Sequence, residues 1–353
     1  MHGNSLMILT GTEVLTLLAG RERDVIETVR AAYEVHNEGA SSLPPSTFLR
    51  FPDDPMNRII ALPAFLGGEF GSAGIKWVSS FPANMEQGMD RASAVIILNS
   101  TTTGRPHVVL EGSIISAKRT AASAALAARA LHADSLVNSV AVVGCGLINF
   151  EIQRFLLSIF PSIKTLYVYD VRPERAVQFK QTCEETFDNV RAEVVADLQT
   201  LFQTSSLVSF ATTALQPYIF DLSGLAPGST ILHVSLRDLM PEIILTSDNV
   251  VDDVDHVCRA QTSIHLAEQQ AGSREFIRCT IGDVTRGTAP AKKDATGITV
   301  FSPFGLGVLD IAVAEFVYKS AVEQGAGTSI ESFLPTPWPQ RSDEGNFRPG
   351  STT

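Results

Sequence analysis

The chain has only four cysteines, Cys145, Cys183, Cys258 and Cys279, and no two of them are close together. Zinc sites and redox dithiols need close pairs, so free thiols in a reducing compartment fit best. No stretch approaches the roughly eighteen uninterrupted apolar residues of a membrane-spanning helix. The opening run MHGNSLMILTGTEVLTLL also lacks a cationic start and a small-residue cleavage site. A cytoplasmic protein without membrane association is therefore expected. No basic patch is visible along the sequence either. The 27 Lys and Arg are scattered singly among 38 Asp and Glu, giving a formal net charge of -11. Such a surface repels nucleic acid and anionic lipid. There is no Ser-His-Asp order, no paired-His zinc motif and no Gly-Lys-Ser/Thr phosphate cradle, so no metal is expected.

What is present is an ordinary globular composition, 44% hydrophobic and 18% charged over 353 residues, long enough for two domains. Leu6 to Leu9 reads as a strand, and a threonine of Thr10-Gly-Thr12-Glu13 can cap the helix expected from Glu13 to Asn37. Beyond Pro44-Pro45 come short β-type runs, Ser46 to Phe51, Arg58 to Pro63, Ala73 to Ser80 and Ala94 to Asn99, which suggest a mostly antiparallel sheet. The alanine-rich stretch from Ile115 to Ala133 predicts a closely packed helix bridging two domains.

Strands and helices then alternate. Val140 to Val143, Thr165 to Tyr169, Glu193 to Val195, Leu207 to Phe210, Thr230 to Val234 and Asn249 to Val251 read as strands, and Ile148 to Phe160 as a helix. The expected fold class is α/β, a Rossmann-type parallel-sheet domain plus a discontinuous α+β domain for substrate binding and dimerisation. Its expected bounds are residues 1–130 for the first part of the substrate domain and 131–303 for the dinucleotide domain. Residues 304–334 form a helix returning to the first domain, and the Pro- and polar-rich residues 335–353 a mobile tail. Unpaired sheet edges and a partly covered apolar face predict a homodimer through the first domain.

The sharpest motif is Val140-Ala-Val-Val-Gly144-Cys-Gly146-Leu-Ile-Asn149, a strand, a glycine turn and a helix start. Gly144 permits the tight turn, and Gly146 lets helix-start amides approach a pyrophosphate. Asn149 replaces the usual third small residue, which should loosen helix-strand packing. Asp170 ends the next strand, where a carboxylate can bind both hydroxyls of an adenine ribose. NAD is therefore expected over NADP, with nearby Arg172 the one contrary feature.

Three cations of the first domain, Arg50, Lys76 and Arg119, are candidate substrate ligands, although each taken singly fits a solvated surface cation. Lys76 lies between Ile75 and Trp77, where an unpaired buried ammonium would be costly, so a polar cavity is expected beside it. Arg119, among small residues, could grip a carboxylate at two points. Asp238, in Leu232-His-Val-Ser-Leu-Arg-Asp238, could position or deprotonate an amine. It could equally be a helix cap or a surface acid before Pro241. His233 reads as structural.

Together, Gly74-Ile-Lys76-Trp, Arg91-Ala-Ser93, Ser116-Ala-Lys-Arg119-Thr-Ala-Ala, Gly144-Cys-Gly146 and Gly305-Leu-Gly307-Val-Leu-Asp310 resemble the ornithine cyclodeaminase/mu-crystallin family, over about Leu43 to Gln324. NRIIALPAFLGGEFGSAGIKWVSS, RASAVIILN and HVSLRDL are similar to its branch making L-2,3-diaminopropionate for siderophores and peptide antibiotics. The resemblance implies an NAD-dependent oxidoreductase acting on a small amino acid. Carried over by position, it places substrate contacts on Arg50, Lys76 and Arg119, the catalytic aspartate on Asp238, and a further aspartate near the active-site mouth on Asp310. Lys76 would polarise the substrate. The implied cofactor contacts are Ser93, Arg119, Gly144, Gly146, Leu147, Ile148, Asp170 and Thr212. Pro303-Phe304-Gly305 stands where cyclodeaminases have a serine, which weakens the reading as ornithine cyclodeaminase and leaves the redox chemistry intact. Alanine dehydrogenase, ketimine reductase and a cofactor-binding protein without turnover remain open.

Overall fold

The computed structural model describes residues 4–132 and 136–335. Two sheets organise the chain. The first contains β1 (Leu6–Leu9), β2 (Ser41–Ser42), β3 (Thr47–Phe51), β4 (Asp54–Leu66), β5 (Ser72–Ser80), β6 (Ala92–Ser100) and β7 (Pro106–Glu111). The second contains β8 (Ser139–Val143), β9 (Thr165–Tyr169), β10 (Arg191–Val194), β11 (Leu207–Phe210), β12 (Thr230–His233), β13 (Asp248–Val251), β14 (Ile277–Thr280) and β15 (Thr299–Ser302). A last strand, β16 (Thr328–Ile330), returns to pair with β1 at the edge of the first sheet.

The first sheet runs β16-β1-β7-β6-β5-β4-β2, with β3 also on β4. It is antiparallel apart from the β1/β7 pair. The second sheet runs β10-β9-β8-β11-β12-β15-β13-β14, and every pairing is parallel. The apolar runs of β8, β11, β12, β13 and β15 are almost wholly buried, as parallel strands covered on both faces must be. The α/β class and the Rossmann-type parallel sheet are as expected, while β2, β7, β14, β15 and β16 are additions that sequence patterning missed.

The expected helix from Glu13 to Asn37 is two helices, α1 (Gly11–Leu18) and α2 (Glu22–Asn37). Gly20 breaks it with a left-handed φ of 69°, a conformation that glycine adopts without steric cost. Thr10 caps α1 in a reciprocal box with Glu13, and Glu13 also accepts the Gly327 amide at 3.0 Å, tying α1 to the approach of β16.

The alanine-rich helix is α3 (Ser113–Leu131); Ala133, its expected last residue, is outside the described residues. It packs on α2, on α4 (Leu147–Ile159) and on the ends of β12 and β15. Beyond α5 (Pro173–Thr186) come shorter helices, α6 (Leu198–Phe202), α7 (Pro241–Thr246), α8 (Val254–Val257), α9 (Ser263–Ala271) and α10 (Ile281–Thr285). The final helix, α11 (Gly307–Gln324), leaves β15 and lies across β4, β5 and β6 of the first sheet. The tail expected to be mobile lies outside the described residues from 336 onward.

Residue alternation divides the first sheet into two faces. On β5, Ser72 and Gly74 meet Glu315 and Ile311 of α11, so the even-numbered residues, Lys76 included, face the helices. The odd-numbered residues point the other way. There Trp77 is 41% exposed, and Leu49 and Phe65 are exposed on neighbouring strands. Among the described residues no helix is long and apolar enough to cross a membrane.

Candidate active site

Two cations of the first sheet side meet on one acid. Lys76 Nζ is 2.7 Å from Asp310 Oδ2 and donates to Ser116 Oγ at 3.0 Å. Arg119 Nε donates to Asp310 Oδ1 at 2.9 Å. β5 supplies the lysine, α3 supplies Ser116 and Arg119 one turn apart, and the first turn of α11 supplies the aspartate. Lys76 is 2% exposed. Burial, with the neighbouring Arg119 charge, pushes its ammonium down to about 8 even though Asp310 pulls the other way. With Nε engaged, the two terminal nitrogens of Arg119 make no hydrogen bond among the described residues, so the guanidinium retains the fork that grips a carboxylate.

Gly305 makes room for that fork. Its φ is 92°, and a Cβ there would lie 2.9 Å from Arg119 Nη1. The loop is held by Asp252, whose carboxylate accepts the amides of Phe304 at 2.8 Å and Gly305 at 2.7 Å. Burial raises the Asp252 carboxyl despite these bonds. The Pro303-Phe304-Gly305 departure is thus a clamped turn that admits the arginine.

Asp238 comes from the second sheet, at the end of the turn after β12, and is fully buried. Its carboxylate accepts the hydroxyls of Thr212 and Ser235, and one oxygen lies 3.2 Å from His233 Nε2. Burial alone would raise this carboxyl, but the His233 ring and the two hydroxyls outweigh it and hold it below its ordinary value. The turn that aims it is strained: Leu236 is buried at a φ of 68°, rare for a side chain of that bulk. Tyr218 stands beside Asp238, and its hydroxyl is raised by burial and by the Asp238 charge.

The glycine turn between β8 and α4 has the form of a dinucleotide cradle. A Cβ on Gly144, whose φ is 93°, would strike Ala211 O at 2.6 Å, so the turn requires glycine. A Cβ on Gly146 would meet no protein atom, leaving the start of α4 open to close approach by a phosphate. Leu147 and Ile148 open α4, which has no side-chain cap on its first amides. Asp170 follows the last residue of β9 and accepts the Cys145 amide at 2.8 Å and the Arg172 amide at 2.9 Å. These bonds pin the carboxylate beside the turn where ribose hydroxyls would meet it, and the Arg172 side chain is exposed. The residues present fit NAD.

Asn149 corrects an expectation. Rather than loosening the packing, its buried amide donates to Val143 O at 2.8 Å and Gly144 O at 2.7 Å, and its oxygen accepts Ser209 Oγ at 2.6 Å. It stitches strand, turn and helix together.

The structure thus gathers Lys76, Arg119 and Asp310, and separately Asp238 with Thr212, whose methyl packs near Gly144. Asp310 is fully buried beneath its two cations instead of standing at the mouth. Arg50 is exposed on β3 with its guanidinium 5.5 Å above the Phe48 ring, and no contact joins it to Lys76, Arg119 or Asp310 among the described residues. Ser93 lies on the opposite face from Lys76, bonded to Ser79 at 2.8 Å. Ser116, Tyr218, Ser235, Asp252 and the Leu236 strain escaped sequence reasoning, because a single hydroxyl or a backbone twist leaves no pattern. His233, read as structural, turned out to bridge Ser302 and Asp238.

The family model of the ornithine cyclodeaminase/mu-crystallin family matches residues 5–325. The chain belongs to this family. N-((2S)-2-amino-2-carboxyethyl)-L-glutamate dehydrogenase of Staphylococcus aureus is 32% identical over 84% of this chain and 89% of its own. Alanine dehydrogenase of Archaeoglobus fulgidus is 28% identical over 93% of this chain and 98% of its own. A solved archaeal alanine dehydrogenase dimer with bound NAD superposes with a TM-score of 0.82, at 27% identity over 93% of this chain and 99% of that one.

Proposed function

We propose that this chain, an NAD-dependent oxidoreductase of amino-acid CH–NH bonds, oxidises N-(2-amino-2-carboxyethyl)-L-glutamate and releases L-2,3-diaminopropionate and 2-oxoglutarate, for siderophore or peptide-antibiotic assembly. The observation that carries the reading is the presence of two half-sites: Lys76 and Arg119, sharing one buried aspartate, on the first sheet side, and the buried Asp238, its carboxyl held below the ordinary value, on the second. The 32% identity to the Staphylococcus aureus dehydrogenase supports the substrate.

In this reading the free fork of Arg119 holds the carboxylate beside the reacting carbon, and Asp310 holds both cations without touching substrate. NAD, when bound at the Gly144–Gly146 turn, supplies the hydride acceptor. Asp238 takes the proton of the secondary amine and helps activate the water that attacks the imine carbon. Lys76, while protonated, stabilises the developing carbinolamine oxygen. The balance is substrate, NAD⁺ and water giving diaminopropionate, 2-oxoglutarate, NADH and a proton.

The proposed assembly is a homodimer through the outer face of the first sheet, where Leu49, Phe65 and Trp77 are exposed, in a cytoplasmic setting that suits cysteines without disulfides among the described residues. The test is to incubate the protein and NAD⁺ with a panel of amino acids and N-substituted glutamates, following NADH and identifying products by mass. NADH with 2-oxoglutarate and diaminopropionate supports the reading. NADH from alanine alone would move it to alanine dehydrogenase, proline from ornithine without net NADH to cyclodeaminase, and no product at all to a binding protein.

A further inference from the structure

Four arginines gather at one end of the first sheet with no acid paired to any of them. Arg50 on β3 stands directly opposite Arg58 on β4, and Arg58 is opposite Ser80 on β5. Ser80 Oγ accepts Arg91 Nε at 3.2 Å. Arg237 approaches from the second sheet, on the strained turn that ends at Asp238, with one terminal nitrogen donating to Ala260 O at 2.7 Å. Among the described residues none of the four forms a salt bridge, although the chain carries an excess of acids. Arg58 Nε is buried and lacks a hydrogen-bond partner. The crowding shows in acidity: burial and then the neighbouring positive charge pull Arg58, Arg91 and Arg237 below the ordinary value, Arg58 through Arg50 and the other two through Arg58, and for Arg237 this outweighs the opposite pull of the Asp238 charge.

Assembling like charges in a partly buried place costs stability unless an anion joins them. The position says which anion. Opposed residues in an antiparallel ladder share a face, and so do residues two or four apart on one strand. Arg50, Arg58 and Ser80 therefore lie on the same face as Lys76, with Ser80 and Lys76 about 13 Å apart along β5 at roughly 3.3 Å per residue. With the arginine and lysine side chains reaching inward from those backbone positions, a shorter molecule with carboxylates at both ends bridges the gap.

We infer that Arg58, Arg91 and Arg237 join Arg50 in a second anion subsite, which takes the distal carboxylates of a polycarboxylate amino-acid substrate while Arg119 holds the carboxylate beside the reacting carbon. The substrate class rests on the proposed function; the subsite itself rests on the four arginines.

The test measures binding of 2-oxoglutarate and of pyruvate to the full-length protein with NADH, by calorimetry, in the wild type and in R58Q, R91Q and R237Q. The two ligands share an α-keto acid and differ by the distal carboxylate. The wild type is expected to prefer 2-oxoglutarate by about tenfold or more, and each variant to lose most of that preference while binding pyruvate within about twofold. Equal losses for both ligands, no loss for either, or a matching fall in NADH affinity, which would mark a cofactor-phosphate site, overturn the subsite. R91Q and R237Q alter partly exposed side chains and serve if R58Q does not fold. The substrate panel separates the two ideas. Turnover of alanine alone, with the 2-oxoglutarate preference still lost in the variants, sinks the proposed function and keeps the subsite; turnover of the N-substituted glutamate with that preference intact in the variants does the reverse.

Discussion

Asp310 and Lys76 form an ion pair of 2.7 Å inside the protein, and the second oxygen of the same carboxylate is already bound to Arg119. One buried acid thus answers two buried cations. Asp310→Asn removes both pairings and leaves two charges uncompensated, at a cost of about 3–5 kcal/mol. Calorimetry should find the variant melting several degrees lower. A melt matching the wild type would show that the pairing does not hold the cations in place.

Lys76 gives a pH signature, since burial sets its ammonium at about 8. If it acts while protonated, kcat/KM declines as pH rises through that value. Stability moves the other way. An unfolded lysine keeps its proton up to about 10.4, so between those pH values the unfolded chain binds more protons and this group's contribution to stability increases with pH. A pH-rate profile set beside denaturant melts checks both directions, and a kcat/KM that stays level between about pH 7 and 9 would remove the charged lysine from the chemistry.

Asp238→Asn keeps shape while losing the proton acceptor. Turnover should fall on the order of 10²–10⁴, with NAD⁺ affinity nearly unchanged, whereas loss of a mere cap would alter stability by about 1 kcal/mol and spare the chemistry. Single-turnover kinetics with a cofactor titration decide the matter. A variant working within a factor of a few of wild type means that the base is elsewhere.

NAD is expected to exceed NADP by at least about tenfold in kcat/KM, because the Asp170 carboxylate would face a phosphate dianion. Initial rates with the two cofactors test it, and equal rates would exclude Asp170 from ribose recognition.

The protein should be a dimer at micromolar concentration by light scattering, and Trp77→Glu, which puts a charge on the exposed apolar face, should yield monomers. A wild-type monomer would refute the interface.

The second sheet was legible because its strands are short apolar runs ending in glycine or acidic punctuation: Val140 to Val143 before Gly144, and Thr165 to Tyr169 before Asp170. β14 sets Arg278 between Ile277 and Cys279, and the apolar part of β15 is only the pair Val300-Phe301, so neither was read as a strand. Within the site, Lys76 stood out as a charge on an apolar run, Arg119 as one among small residues, and Asp238 by its place after a late strand, where a cap reading stood beside it. Their neighbours did not stand out. That Ser116 meets Lys76, or Asp252 the Phe304 amide, depends on segments far apart in the chain being brought together. Asn149 misled for the opposite reason, since volume suggested looseness and its hydrogen-bonding capacity decided otherwise.

The alanines of α3 bear on how this enzyme can be diversified. Ala121, Ala122, Ala124, Ala125, Ala127 and Ala128 are fully buried between neighbours from both sheets, each offering only a methyl group. Any larger side chain there pushes on closely packed backbone, typically costing about 1–3 kcal/mol, and Ser116 and Arg119 ride on the same helix. Randomising this helix would mostly yield misfolded chains or a displaced guanidinium. Strand ends and turns that face solvent carry no such constraint. Variation intended to alter substrate range belongs at the partly exposed ends of β3 and β4, where side chains can be exchanged without moving that shared axis or the strained turn that aims Asp238.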